Sequence, residues 1–239
     1  MRHIPNFITS LNLASGFFSI IFIINGDIIT ASWLILAAMM FDFLDGFAAR
    51  ALKAYSDIGK ELDSLADVIS FGVAPGLIIY NLLFATLSPA NKTGFCISGV
   101  TSIIFLIISA IMPVCAALRL AIFNTDSTQT TSFKGLPTPA NALAVISLIL
   151  GMHYSGSTFL SSLMTSPISL IILSLSLSVL MVTRIPLLSF KFKNFKLKGN
   201  EGRYLMIALC AVMILVFGIR SIPGIIPVYI IISLFSLLF

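Results

Sequence analysis

The sequence predicts an all-α protein, a polytopic membrane bundle of about eight transmembrane helices. Three observations carry that expectation. Of 239 residues, 58% are hydrophobic and only 10% are Asp, Glu, Lys or Arg, where a soluble domain carries about 25% charged residues. The mean hydropathy is +1.09. The apolar stretches run on without alternation, which favours helices over barrel strands; helices and closed barrels alone satisfy their backbone polar groups in lipid.

Eight apolar segments stand at about 8–25, 28–50, 61–87, 95–123, 138–154, 164–186, 203–219 and 223–239. A helix needs about 20 apolar residues to cross the hydrocarbon layer, so the first, fifth, seventh and eighth are short. The first follows Arg2 but contains Asn12 and Ser15 and lacks a small-residue cleavage site, so it reads as a span rather than a signal peptide. The link 51–60 is short enough to make the second and third segments antiparallel neighbours. Pro137 and Pro139 keep the preceding loop from extending the fifth helix. No repeat or long linker divides the chain, so residues 1–239 form a single domain, with a core at about 4–186 and further helices at about 203–239. Cys96, Cys115 and Cys210 lack metal-ligand spacing and read as packing residues. His3 and His153 share no partner in the pattern and read as structural.

Lys and Arg gather on the cytoplasmic side of membrane proteins. With the N-terminus inside, one face collects Arg2, Arg50, Lys53, Lys60, Arg119, Lys134, Arg184, Lys191, Lys193, Lys196, Lys198 and Arg203, and the other only Lys92 and Arg220, which accounts for all 14 basic residues. The split supports both the span count and the orientation. The net charge of +5 and the run KFKNFKLK at 191–198 then read as contact with anionic lipid headgroups rather than with nucleic acid.

On this topology Asp42 and Asp45 lie near the cytoplasmic end of the second span, and Asp63 and Asp67 near the start of the third. Six of the nine acidic residues sit in this hairpin: Asp42, Asp45, Asp57, Glu61, Asp63 and Asp67. Spacings of three and four put each pair on one helix face, so each helix can turn two carboxylates towards the other. Four like charges at close range repel, and a divalent ion is the natural compensation. All-oxygen ligands suit Mg2+, Mn2+ or Ca2+, and Mg2+ commonly bridges carboxylates to substrate phosphates. Gly46, Ala49 and Gly59 remove side-chain bulk beside the aspartates, and Arg50 is placed to meet phosphate oxygens.

These residues carry a resemblance. Asp42, Asp45, Gly46, Ala49, Arg50, Gly59, Asp63 and Asp67 reproduce, spacing for spacing, the signature of the CDP-alcohol phosphatidyltransferase family. The stretches IPNFITSLNLASG (4–16), SDIGKELDSLADVISFGVAPG (56–76), RLAIFN (119–124) and FKGLPTPA (133–140) resemble its bacterial integral-membrane branch, whose acceptor alcohol is L-serine. The resemblance implies that a phosphatidyl group passes from CDP-diacylglycerol to serine, releasing CMP. It implies Mg2+ or Mn2+, with Ca2+ as a substitute or inhibitory ion, held by Asp42, Asp45, Asp63 and Asp67, and Asp67 as general base. It places Gly46, Ala49, Arg50, Asp57, Gly59, Asn6 and Thr9 around the CDP-lipid. Arg119, Asn124, Lys134 and Thr138 are the candidates for the acceptor. It further implies a homodimer in the bacterial cytoplasmic membrane, with the site facing the cytoplasm. Two other readings stay open: the same reaction with glycerol 3-phosphate or inositol phosphate as acceptor, and a cation transporter.

Overall fold

The computed structural model describes residues 3–87, 99–125, 133–187 and 201–235. The chain is helical almost throughout. Helix α1 (His3–Ile24) turns through Gly26, at φ 83°, into α2 (Ile28–Ala51). Asp27 caps α2 by accepting from the Thr30 backbone N–H at 3.0 Å, and Thr30 holds its carboxyl below the usual range. Helix α3 (Asp57–Asp67) runs through a π-helical turn, Val68–Val73, into α4 (Ala74–Leu87) as one rod. Then come α5 (Val100–Thr125), the two-residue strand β1 (Phe133–Lys134), α6 (Thr138–Ser155), α7 (Thr158–Thr165) and α8 (Pro167–Val182). Strand β2 (Pro186–Leu187) pairs antiparallel with β1. Helix α9 (Glu201–Phe217), a 3-10 segment (Gly218–Gly224) and α10 (Ile225–Phe235) complete the described chain.

Among the described residues, four helices are long and apolar enough to cross a membrane: His3–Ile24, Ile28–Ala51, the rod Asp57–Leu87, and Val100–Thr125. The expected sixth span, 164–186, is occupied by α8, and the link expected before it holds a further helix, α7, bent by 82° from α8 about Ser166. The Ser166 hydroxyl caps α8 and Pro167 stands at its first turn, so the sequence there starts a new helix rather than continuing the old one. Counted as one span, the pair makes a fifth. Helices α6, α9 and α10 are apolar but shorter.

The bundle is built around the α3–α4 rod, with 56% of its apolar window buried against 28–33% for the other three long helices. The π turn carries this packing. Pro75 has no N–H for the carbonyl of Phe71, four residues earlier, and the Asn141 side-chain amide donates to that carbonyl at 3.1 Å instead. Gly72 and Gly76 let α5 close in: a Cβ on Gly72 would lie 2.9 Å from Ala116 Cβ, and one on Gly76 3.0 Å from the Ser109 carbonyl oxygen. That carbonyl lies four residues before Pro113, which likewise has no N–H to give it.

Helix α1 is amphipathic in reverse. Its polar and small residues Thr9, Asn12, Ser15, Gly16 and Ser19 are buried, while Phe7, Phe17, Phe18 and Ile21 face outwards. Outside is hydrocarbon, so the apolar face needs no cover. Gly16 brings α1 against Ser70 of the π turn. The Ser70 hydroxyl donates to the Asn12 carbonyl at 3.1 Å.

An added methyl at Gly16 would meet Ser70 Oγ and lie 2.9 Å from Ser70 Cα. Gly16→Ala is therefore expected to destabilise the protein in detergent by about 1–3 kcal/mol, seen as a lower melting temperature. An unchanged melting temperature would show that α1 does not approach the π turn this closely.

Candidate active site

The hairpin of α2 and α3 brings the four aspartates together. One carboxylate oxygen each of Asp42, Asp63 and Asp67 lies within 4.8 Å of the others. Asp45 stands beside this trio and interacts electrostatically with Asp42 and Asp63. Asp45 and Asp67 are buried, at 5% and 7% exposure. Asp45 Oδ2 and Asp63 Oδ1 are buried without a hydrogen-bond partner among the described residues. Unpaired buried carboxylate oxygens converging from two helices suit a hard divalent cation, so the cluster fits a metal that takes oxygen ligands.

Beside the aspartates a cavity of about 420 Å³ opens between α1, α2 and α3. Its walls include Asn6 and Thr9 from α1, Asp45, Gly46, Ala49 and Arg50 from α2, and Gly59, Lys60 and Asp63 from α3. Pro5 and Ala54, Tyr55 and Ser56 of the link complete the lining. Six of the seven residues expected around a CDP-lipid thus line one space. Asp57 is not among the lining residues; it is exposed in the first turn of α3, where its charge favours the helix N-terminus.

The glycines keep this cavity open. The Arg50 guanidinium lies over Gly46, 3.9 Å from where a Cβ would stand. A Cβ on Gly59 would come 2.8 Å from Asn6 Oδ1 and 2.9 Å from Ser56 Oγ. Thr9 donates to the Pro5 carbonyl at 3.0 Å, and its side chain also contacts the Asp45 carboxylate. Ser56 caps α3 by accepting from the Gly59 N–H at 3.0 Å, which fixes the start of the helix that carries Asp63 and Asp67.

Asp67 has a hydrogen-bond donor on one side and a buried positive charge on the other. Asn12 Nδ2 donates to Asp67 Oδ1 at 3.3 Å, and the Arg119 guanidinium of α5 interacts electrostatically with the same carboxylate and with Tyr229 of α10. Arg119 is 8% exposed, and its Nε has no partner among the described residues. Asn124 serves as a tie: its Nδ2 donates to Ser64 Oγ at 2.8 Å, and its carbonyl accepts from Lys60 Nζ at 3.1 Å. These bonds fasten the C-terminal end of α5 to α3. Thr138, at the first position of α6, is fully buried, and its hydroxyl has no partner among the described residues. Of Lys134 the backbone alone is described, paired with Pro186, so the expectation for its side chain lies outside the described residues.

Sequence reasoning noted Asn12 only as a polar interruption of the first span and passed over Asn141. The signal for Asn12 was its step of three from Thr9, which with Asn6 makes a polar stripe along α1. Lys60, Ser64 and Tyr229 carried no signal, because their partners are distant in sequence or on another helix.

A family model described as CDP-alcohol phosphatidyltransferase matches residues 2–234. The chain belongs to the CDP-alcohol phosphatidyltransferase family. Among its relatives, the CDP-diacylglycerol–serine O-phosphatidyltransferase of Bacillus subtilis is 33% identical over 202 residues, covering 84% of this chain and 96% of that one. The enzyme of the same name from Helicobacter pylori (strain 26695) is 32% identical over 242 residues, covering 98% and 91%. The archaetidylserine synthase of Methanothermobacter thermautotrophicus is 36% identical over 154 residues, covering 64% and 60%. Within this phosphatidyltransferase fold, the eight signature positions are the aspartate cluster and the small or basic lining of the adjoining cavity.

Proposed function

We propose that the protein is a CDP-diacylglycerol–serine O-phosphatidyltransferase: it moves the phosphatidyl group of CDP-diacylglycerol to the hydroxyl of L-serine and releases CMP. The observation that carries this reading is the shared wall of the cavity and the aspartate cluster, formed by Asp45 and Asp63. Names of relatives from bacteria and archaea support serine as the acceptor.

In this reading Asp42, Asp63 and Asp67, with Asp45 alongside, would hold Mg2+ or Mn2+, which would supply positive charge and Lewis acidity beside the pyrophosphate. Gly46, Ala49 and Gly59 let the cytidine lie against backbone. Asn6 and Thr9 offer it polar contacts, and Arg50 and Lys60 meet phosphate oxygens. Serine sits on the α5–α6 side of Asp67, with Arg119 facing its carboxylate. The serine hydroxyl oxygen bonds to the lipid-side phosphorus, the bond from that phosphorus to the CMP oxygen breaks, and Asp67 takes the hydroxyl proton. Asn12 and Arg119 keep the Asp67 carboxylate in place for that transfer.

The basic residues at the Asp67 end of the bundle support the proposed orientation: a multi-pass protein of the cytoplasmic membrane, with the N-terminus and the site on the cytoplasmic side. Family resemblance supports a homodimer.

Purified protein in lipid nanodiscs should release CMP when CDP-diacylglycerol, serine and Mg2+ or Mn2+ are all present, and stop when the metal is chelated. Asp67→Asn should lower turnover by about 10²-fold or more while CDP-diacylglycerol still binds. Near-normal turnover in that variant would remove Asp67 from the role of base, and CMP release with glycerol 3-phosphate but not serine would overturn the choice of acceptor.

Gly59→Val should act on the nucleotide side. Its added carbons would meet Asn6 and Ser56, so equilibrium binding of CMP should weaken about tenfold or more, the loss expected when a close contact is displaced. Undiminished CMP binding would place the nucleotide elsewhere.

A further inference from the structure

Three buried polar atoms on the α5–α6 side of Asp67 have no partner among the described residues: Arg119 Nε, Thr138 Oγ1 and Asn141 Oδ1. Thr138 and Asn141 are fully buried, and Arg119 is 8% exposed. Such atoms are rare in native interiors and call for a partner.

Their levels in the bundle coincide. Asn141 bonds Phe71 of the π turn. Thr138 lies three residues earlier on the same face of α6, one turn nearer the end at which Asp67 lies. Ala116 meets Gly72, so Arg119, one turn further along α5, reaches the level of Asp67, with which it interacts. The chemistry is complementary. Arg119 can only donate. Asn141 Nδ2 is committed to the carbonyl that Pro75 leaves without a helical donor, so the orientation of the amide is fixed and the free Oδ1 can only accept. Thr138 offers a second oxygen.

We infer that Asn141 Oδ1 and Thr138 Oγ1 receive the ammonium group of the acceptor, opposite Arg119 on its carboxylate, and so select an amino acid over an uncharged or phosphorylated alcohol. This inference rests on the reaction proposed above. It gives the alcohol three points of attachment: carboxylate to Arg119, ammonium to α6, hydroxyl to Asp67. Asn141 is then a specificity-determining residue that the π turn and Pro75 hold in place.

The test compares L-serine with 3-hydroxypropionate, which keeps the hydroxyl and carboxylate but lacks the ammonium. CMP release in nanodiscs gives kcat/KM for each acceptor, and inhibition of the serine reaction gives the affinity of the analogue where its turnover is slow. The wild-type protein should prefer serine. In Asn141→Leu and in the isosteric Thr138→Val, that preference should shrink by about 10- to 100-fold, the worth of a hydrogen bond to a charged group. A purely structural defect would lower both acceptors together. Either folded variant keeping the wild-type ratio overturns the inference; should Asn141→Leu fail to fold, Thr138→Val decides. A wild-type protein with no serine activity would instead defeat the reaction reading itself.

Discussion

Mutual repulsion among four carboxylates, crowded between α2 and α3 in an otherwise apolar bundle, is the constraint around which the molecule is arranged. An ionised carboxylate at mid-membrane costs about 2.5–3.5 kcal/mol on insertion scales, and like charges in contact add to that cost. The surroundings reduce it piece by piece. The site lies towards the polar end of the hairpin, Asn12 donates to Asp67, and Arg119 brings a buried positive charge to the same carboxylate. Oxygens of Asp45 and Asp63 still remain without a partner among the described residues, which is what oxygens prepared for a divalent cation should look like.

Irregular backbone is concentrated where the site needs it. A uniform helix from Asp57 to Leu87 would satisfy its own hydrogen bonds and leave α6 nothing to recognise. The π turn and Pro75 free the Phe71 carbonyl, and Asn141 of α6 takes it. Gly72, Gly76 and Pro113 then bring α5 close enough for the Arg119 charge to act on Asp67. On the other side, Gly16 and Ser70 bring α1, and with it Asn12, to the same level. The three helices that complete the site are thus positioned by one short stretch, Val68 to Gly76.

Much of this was legible in the sequence. Asp42, Asp45, Asp63 and Asp67 stood out because charge is scarce in this chain, and their spacings of three and four fixed the faces that meet. Gly46, Ala49 and Gly59 were readable as absent bulk, and with Asn6, Thr9 and Arg50 they do line one cavity. Features that depend on distant partners were hidden. Asn124 has a polar side chain at the right end of α5, but its bonds to Ser64 and Lys60 make it a brace between helices. Asp57 shares the hairpin yet is turned outwards at a helix start. Helix α7 and its bend at Ser166 were hidden because α7 falls in the link before the sixth segment, and hydropathy reports burial in lipid, not direction. Asn141 was invisible because its value comes from a carbonyl seventy residues away.

Divalent-ion binding itself tests the central claim most directly. Mn2+ titrated into the protein in nanodiscs and followed by electron paramagnetic resonance should show ions bound in the wild type, and loss of that binding in Asp42→Asn and Asp63→Asn variants that keep the wild-type melting temperature. Equal Mn2+ stoichiometry and affinity in all three proteins would contradict the account, because the ions would then be held somewhere other than between α2 and α3.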